Sequence, residues 1–94
     1  MNKLTGKTVK VLPEVLSREV SGETVLLDLN SEIYFGLDDI GTRIWQLIQE
    51  HSDLDKVYDI MLEEYAVNAE QLEKDLNELT EKLAEAGLIE ISDQ

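Results

Sequence analysis

Cysteine is absent from this 94-residue chain, which excludes disulfides, thiolate metal sites and a cysteine nucleophile. The single histidine, His51, falls at the end of a predicted helix, where a cation complements the helix dipole. No G-x-S-x-G elbow or comparable serine setting accompanies it. No uninterrupted apolar run exceeds three residues, as in Val25-Leu26-Leu27, so nothing reads as a bilayer-spanning helix. The first residues, MNKLTGKTVKVLP, lack the apolar stretch of a secretion signal, and a cytoplasmic location is the expectation. Basic residues are scarce, 8 against 21 acidic, for a formal net charge of −13. Such a field repels phosphate backbones and anionic headgroups, so neither nucleic acid nor membrane is an expected partner.

What is present suits a small folded domain. Apolar residues make up 43% and charged residues 31%, a globular rather than a disordered composition. The length fits one domain, residues 1–94, with a mobile N-terminal segment expected over 1–7. Val9 and Val11 alternate and allow a short strand, which Pro13 would interrupt.

Residues 15–37 carry β patterning with two turn signals. Ser21-Gly22 suits a two-residue hairpin, which pairs Val20 with Glu23, Arg18 with Val25 and Leu16 with Leu27. The second turn lies near Asn30-Ser31-Glu32. A two-residue loop there sets Leu27 opposite Tyr34 and scatters the apolar residues over both faces. A three-residue loop pairs Leu29 with Ile33, Leu27 with Phe35 and Val25 with Leu37. A one-residue slip exchanges every side chain between faces, so the three-residue loop is the expectation. It gives an antiparallel meander with Leu16, Val20, Val25, Leu27, Leu29, Ile33, Phe35 and Leu37 on one apolar face. Ser17, Glu19, Thr24, Asp28 and Tyr34 then occupy a polar face, with Leu26 as its exception.

The remainder reads as helical. Asp38 or Asp39 caps a first helix, whose stripe is Ile40, Ile44, Leu47 and Ile48. Ser52 or Asp53 opens a second, with Leu54, Val57, Tyr58, Met61, Leu62 and Tyr65 facing inward. Asn68 with Gln71 resembles a capping box and begins the longest helix. Its stripe is Leu72, Leu76, Leu79, Leu83 and Ala86, and Gly87 terminates it. Leu88-Ile89-Glu90-Ile91 is an extended tail able to pack back on the core. The expected class is α+β, a three-stranded antiparallel sheet followed by three helices.

Chemistry-bearing constellations are sparse. The acidic groups around Asp53-Asp55, Glu63-Glu64 and Glu70–Glu78 lack the D-x-[DN]-x-[DN]-G calcium loop and read as solvated faces. Gly36 precedes a helix start without a GxxxxGK[ST] or GxGxxG pattern. No catalytic residue, metal site or cofactor is expected. Trp45 reads as core. Gly41, inside a predicted helix, is of a residue type that permits close backbone approach, with no approaching segment named by the sequence.

The third strand of the meander, Glu32-Ile33-Tyr34-Phe35-Gly36-Leu37, is the most informative segment. Edge strands are normally blunted by charge, proline or a bulge. This one has a single charge at its start, an aromatic pair and a glycine, and it suits β-augmentation by an extended peptide. Either the edge is open, or it is covered by the tail 88–91 or by residues 8–12.

The stretch V-L-L-D-L-N-S-E-I-Y-F-G-L-D-D-I-G-T-R-I-W-Q-L-I resembles the PqqD-like peptide chaperones, also called RiPP recognition elements. The matching positions are Asp28, Leu29, Asn30, Tyr34, Phe35, Gly36, Leu37, Gly41, Ile44 and Trp45, and the likeness extends from about Val11 to Ile91. Within that group it is most similar to the stand-alone recognition proteins of lasso-peptide pathways. The resemblance implies a winged helix-turn-helix-like fold. It implies that a precursor's leader peptide, commonly with a Tyr-x-x-Pro pattern, pairs antiparallel with the third strand against the third helix. It also implies that the captured precursor is offered to a separate leader peptidase and a cyclase. Carried onto this chain, the groove is walled by Ile33, Tyr34, Phe35 and Gly36 on the strand. Leu72, Asp75, Leu76 and Leu79 are assigned to the helix side from their predicted facing, where the leucines serve the core equally well. Glu32 and Lys74 are placed at the ends of the ligand.

Winged helices often bind DNA, but the third helix sets Glu70, Glu73, Asp75, Glu78, Glu81 and Glu85 against Lys74 and Lys82, and that electrostatic balance decides against DNA. An acyl carrier would need a modifiable serine at a helix start, whereas Ser52 sits in His-Ser-Asp. The alternative reading is an acidic scaffold or regulatory subunit that binds a folded basic partner without any leader peptide.

Overall fold

The computed structural model describes residues 6–93. Along the chain lie β1 (Lys7–Val11), β2 (Val15–Val20), β3 (Glu23–Asp28) and β4 (Ile33–Leu37). They are followed by α1 (Asp39–His51), α2 (Leu54–Glu64), α3 (Ala69–Glu85) and β5 (Ile89–Asp93). The antiparallel sheet β2–β3–β4 with its three helices has the expected α+β, winged helix-turn-helix-like architecture. Of the segment 1–7, the first five residues lie outside the described residues. Among the described residues no helix is long and apolar enough to cross a membrane.

β1 and β5 form a second sheet, with Val9 opposite Ile91 and Val11 opposite Ile89. Val9, Ile89 and the preceding Leu88 are buried, and the ribbon packs on the core, β1 against α1 and α2 and β5 against α3.

The first hairpin has the expected register, Val20 opposite Glu23 and Leu16 opposite Leu27. Ser21 (φ 54°) and Gly22 (φ 82°) are both left-handed, which gives the type I′ geometry that matches strand twist.

The second turn differs from expectation. Four residues, Leu29–Glu32, connect the pair Asp28–Ile33, and Leu27 faces Tyr34 while Leu26 faces Phe35. The physical reason lies in Asp28, which turns inward and organises the loop. Its Oδ1 accepts from the Asn30 N–H (3.0 Å) and its Oδ2 from the Ser31 hydroxyl (2.9 Å). Its carbonyl accepts from the Glu32 N–H (2.7 Å), and Glu32 takes φ 61°. Counting apolar residues per face ignored this polar anchor. The face turned to the helices is therefore Thr24, Leu26 and Asp28, all buried, with Phe35 and Leu37. Leu16, Val20 and Val25, expected inside, lie on the exposed face, and Leu29 is exposed in the loop.

The helices follow their predicted caps. Asp38 accepts from the Gly41 N–H, Asp53 from Asp55, and Asn68 from Glu70 and Gln71. The Gln71 side chain does not return to Asn68 but donates to Asp75 (2.8 Å). Gly87 (φ 79°) ends α3. The core holds Leu26, Leu37, Ile44, Trp45, Leu47, Ile48, Leu54, Val57, Met61, Leu72, Leu76 and Leu83. Tyr58 and Tyr65 are half-buried and Leu62 is exposed at the stripe's margin. Gly41 is crowded by neighbouring side chains rather than by another backbone segment: an added Cβ would lie 3.3 Å from Leu37 Cβ and Cδ2 and from Asp38 Oδ1.

Candidate functional site

β4 is an edge. β3 flanks it on one side, and among the described residues no strand flanks the other. The two segments able to cover it, β1 and β5, pair with one another instead. In an antiparallel sheet, alternate residues of such a strand turn N–H and C=O groups away from the existing partner. They form a row of donors and acceptors open to an incoming strand.

A cleft of about 530 Å³ lies beside this edge, bounded by β4, the first turns of α1 and the middle of α3. Its apolar lining is Phe35, Leu37, Ile40, Ile44 and Leu79, with Gly36 and Gly41 between them. Leu37 and Ile44 are buried, Phe35 and Leu79 half-buried. Phe35 and Leu37 reach the cleft because strand side chains alternate and these two share the face of Leu26. Asp75, Leu79 and Lys82 follow i, i+4, i+7 spacing and so share one flank of α3, beside the core stripe of Leu72, Leu76 and Leu83. The charged groups at the cleft are Asp38, Asp75 and Lys82, all exposed.

The cleft has a defined polarity. A Cβ added to Gly87, just past α3, would lie 4.0 Å from Asp28 Oδ2, and Asp28 stands opposite Ile33. The C-terminal end of α3, with Lys82, is thus at the Ile33 end of β4. Asp75 is nearer the Leu37 end, where Asp38 follows the strand.

Of the residues singled out from sequence, Phe35, Gly36, Asp75 and Leu79 line this cleft together. Ile33 is on the same face of β4 as Phe35, 56% exposed at the strand's open end. Tyr34 points to the opposite face, 70% exposed, in a shallow apolar depression with Leu16, Val20, Val25 and Leu27 around Arg18. Glu32 closes the loop before the strand. Leu72 and Leu76 are in the core. Lys74 stands on the outer face of α3 among Glu70, Glu73, Asn77, Glu78 and Glu81. His51 ends α1 with Nε2 3.7 Å from the Glu50 carboxylate. Among the described residues no group of three or more His, Asp or Glu side chains is placed to hold a metal ion.

Residues 23–89, from the start of β3 into β5, match the family model of coenzyme PQQ synthesis protein D (PqqD). The chain belongs to the PqqD family. Two solved structures are similar to this PqqD-family chain. One is described as TbiB1 in complex with the TbiA(beta) leader peptide. It is 37% identical with a TM-score of 0.82, over 86% of this chain and 94% of that one. The other is described as lasso peptide synthetase B1 complexed with the leader peptide. It is 31% identical with a TM-score of 0.75, over 88% of this chain and 98% of that one. No curated protein matches.

Sequence reasoning missed Lys82, Leu37, Asp38, Ile40 and Ile44 as lining residues in this PqqD-family cleft. Lys82 was within reach, being seven residues, two helical turns, beyond Asp75. Ile40 and Ile44 were counted as core. Nothing local to α1 signals that its first turn borders an open groove.

Proposed function

We propose that this protein binds the leader region of a ribosomally made precursor peptide, of the lasso-peptide type, by β-augmentation on β4. The leader adds as an antiparallel strand, its backbone pairs with the open edge, and its inward side chains fill the cleft against α3. The observation that carries this reading is the uncovered β4 edge beside an apolar cleft. Support comes from the two similar proteins, both solved with leader peptides. A Tyr-x-x-Pro pattern suits the site, since an aromatic ring and a proline fill apolar space at low entropic cost.

The role is recognition without bond chemistry. Captured precursor is held at high effective concentration for a leader peptidase and a cyclase. Fluorescence anisotropy of a labelled leader, taken from the precursor encoded beside this protein, tests the reading against a scrambled control. Specific binding in the sub-micromolar to low-micromolar range is expected. No binding by folded protein would refute it in favour of an acidic scaffold that recognises a folded partner.

A further inference from the structure

The cleft is charged asymmetrically. Among the residues lining it, Lys82 is the one cation, and the anions Asp38 and Asp75 lie toward the other end. The Lys82 carbonyl accepts from the Ala86 N–H (3.0 Å), while its ammonium takes part in no hydrogen bond or ion pair with the described residues. Asp75 is oriented by Gln71, which donates to its Oδ1 (2.8 Å), while Asp38 spends Oδ1 on the Gly41 N–H (2.8 Å). Asp75 and Lys82 are separated by two helical turns, about 10 Å along the axis. An extended peptide covers that distance in about three residues.

On α3, Glu70, Glu73, Glu78 and Glu81 stand with Lys74 on the outer flank, and Glu78, Glu81 and Glu85 also flank Lys82. Among the cleft-lining residues the charge is arranged as a dipole parallel to β4, with both anions toward the Leu37 end and the one cation toward the Ile33 end.

Resting on the leader-binding reading, we propose that this dipole selects the charge pattern, and with it the direction and register, of the bound strand. A strand antiparallel to β4 enters at the Leu37 end. The ligand that fits carries a basic side chain in its N-terminal part, against Asp38 and Asp75. Toward its C-terminal part it carries an acidic side chain, against Lys82. Backbone pairing alone tolerates slippage by two residues, because such a shift keeps every side chain on its face. Charge at both ends of the cleft makes one register better than its neighbours, as complementary charge does at interfaces generally.

The test uses two fluorescein-labelled synthetic peptides of identical composition, each built on a Tyr-x-x-Pro core. In one, a Lys-Lys pair precedes the core and a Glu-Glu pair follows it; in the other the pairs are exchanged. The Lys-first peptide is expected to bind about fivefold more tightly at low salt, with the preference shrinking as salt is added. The double variant Asp75→Lys with Lys82→Glu, both at exposed positions, is expected to reverse the preference. Its melting curve checks the fold. Equal affinity for the two peptides would overturn the charge inference and leave leader binding standing. Preference for the Glu-first peptide would overturn it too, by placing the strand in the other direction. Binding of neither peptide would refute the leader-binding reading itself.

Discussion

Leu26 stands directly opposite Phe35 across the β3–β4 ladder. The pair divides the inner face of the sheet into two functions. Leu26 is fully buried under α1, whereas Phe35, one strand nearer the edge, is only half-buried and forms part of the cleft wall.

That pairing predicts unequal costs for neighbouring residues. Leu26→Ala removes a fully buried side chain and is expected to cost about 2–5 kcal/mol. Val25→Ala, on the exposed face, is expected to cost under about 1 kcal/mol. Urea unfolding followed by emission of the single, buried Trp45 measures both. The opposite ranking would mean that the alternative register is correct.

Phe35→Ala should separate binding from folding. Truncating an aromatic wall residue is expected to weaken leader affinity about tenfold or more, with a much smaller loss of stability than Leu26→Ala. Val20→Ser, on the outer face, serves as the control and should leave affinity unchanged. Anisotropy titrations of both variants check this.

Gly41→Ala is expected to destabilise the protein by about 1 kcal/mol, although alanine is the better helix former. The added methyl group would press on Leu37 and on the Asp38 cap at 3.3 Å. Both belong to the cleft, so a lowered thermal midpoint should be accompanied by weaker leader binding.

A pH effect is expected from the clamp between α1 and α2. Arg43 donates to Glu64 through Nε (2.9 Å) and Nη2 (2.7 Å), and through Nη1 to Gln46, which in turn donates to Glu19 of β2. The hydrogen bonds from Arg43 hold the Glu64 carboxyl below its ordinary value. The folded state therefore favours the ionised form, and its stabilising contribution is present above the usual glutamate range. It is lost as pH falls through the depressed value. Thermal midpoints of wild type and Glu64→Gln are expected to converge between about pH 6 and about pH 3. A constant gap would contradict the clamp.

Much of this fold was legible locally. Ser21-Gly22 specified its turn, Asp38, Asp53 and Asn68 their caps, and Gly87 its helix end, because each acts through backbone geometry within a few residues. The second turn was not legible. Asp28 looked like a solvent residue, and only the assembled loop shows its carboxylate binding Asn30 and Ser31 from a buried position. The pairing of β1 with β5 joins segments about 80 residues apart, and no local pattern encodes it. The candidate site was legible on the strand, where Phe35 and Gly36 lie in the resembling motif. On α3 Asp75 and Leu79 were placed by periodicity, while Lys82 emerged from the way α3 passes β4.

Backbone amide exchange, with and without the leader peptide, reads directly whether a leader strand pairs with β4. Slowed exchange is expected at outward-facing amides of β4, with little change along β2, the other edge of the sheet. Leader binding that protects β2, or that leaves β4 unprotected, would contradict that pairing.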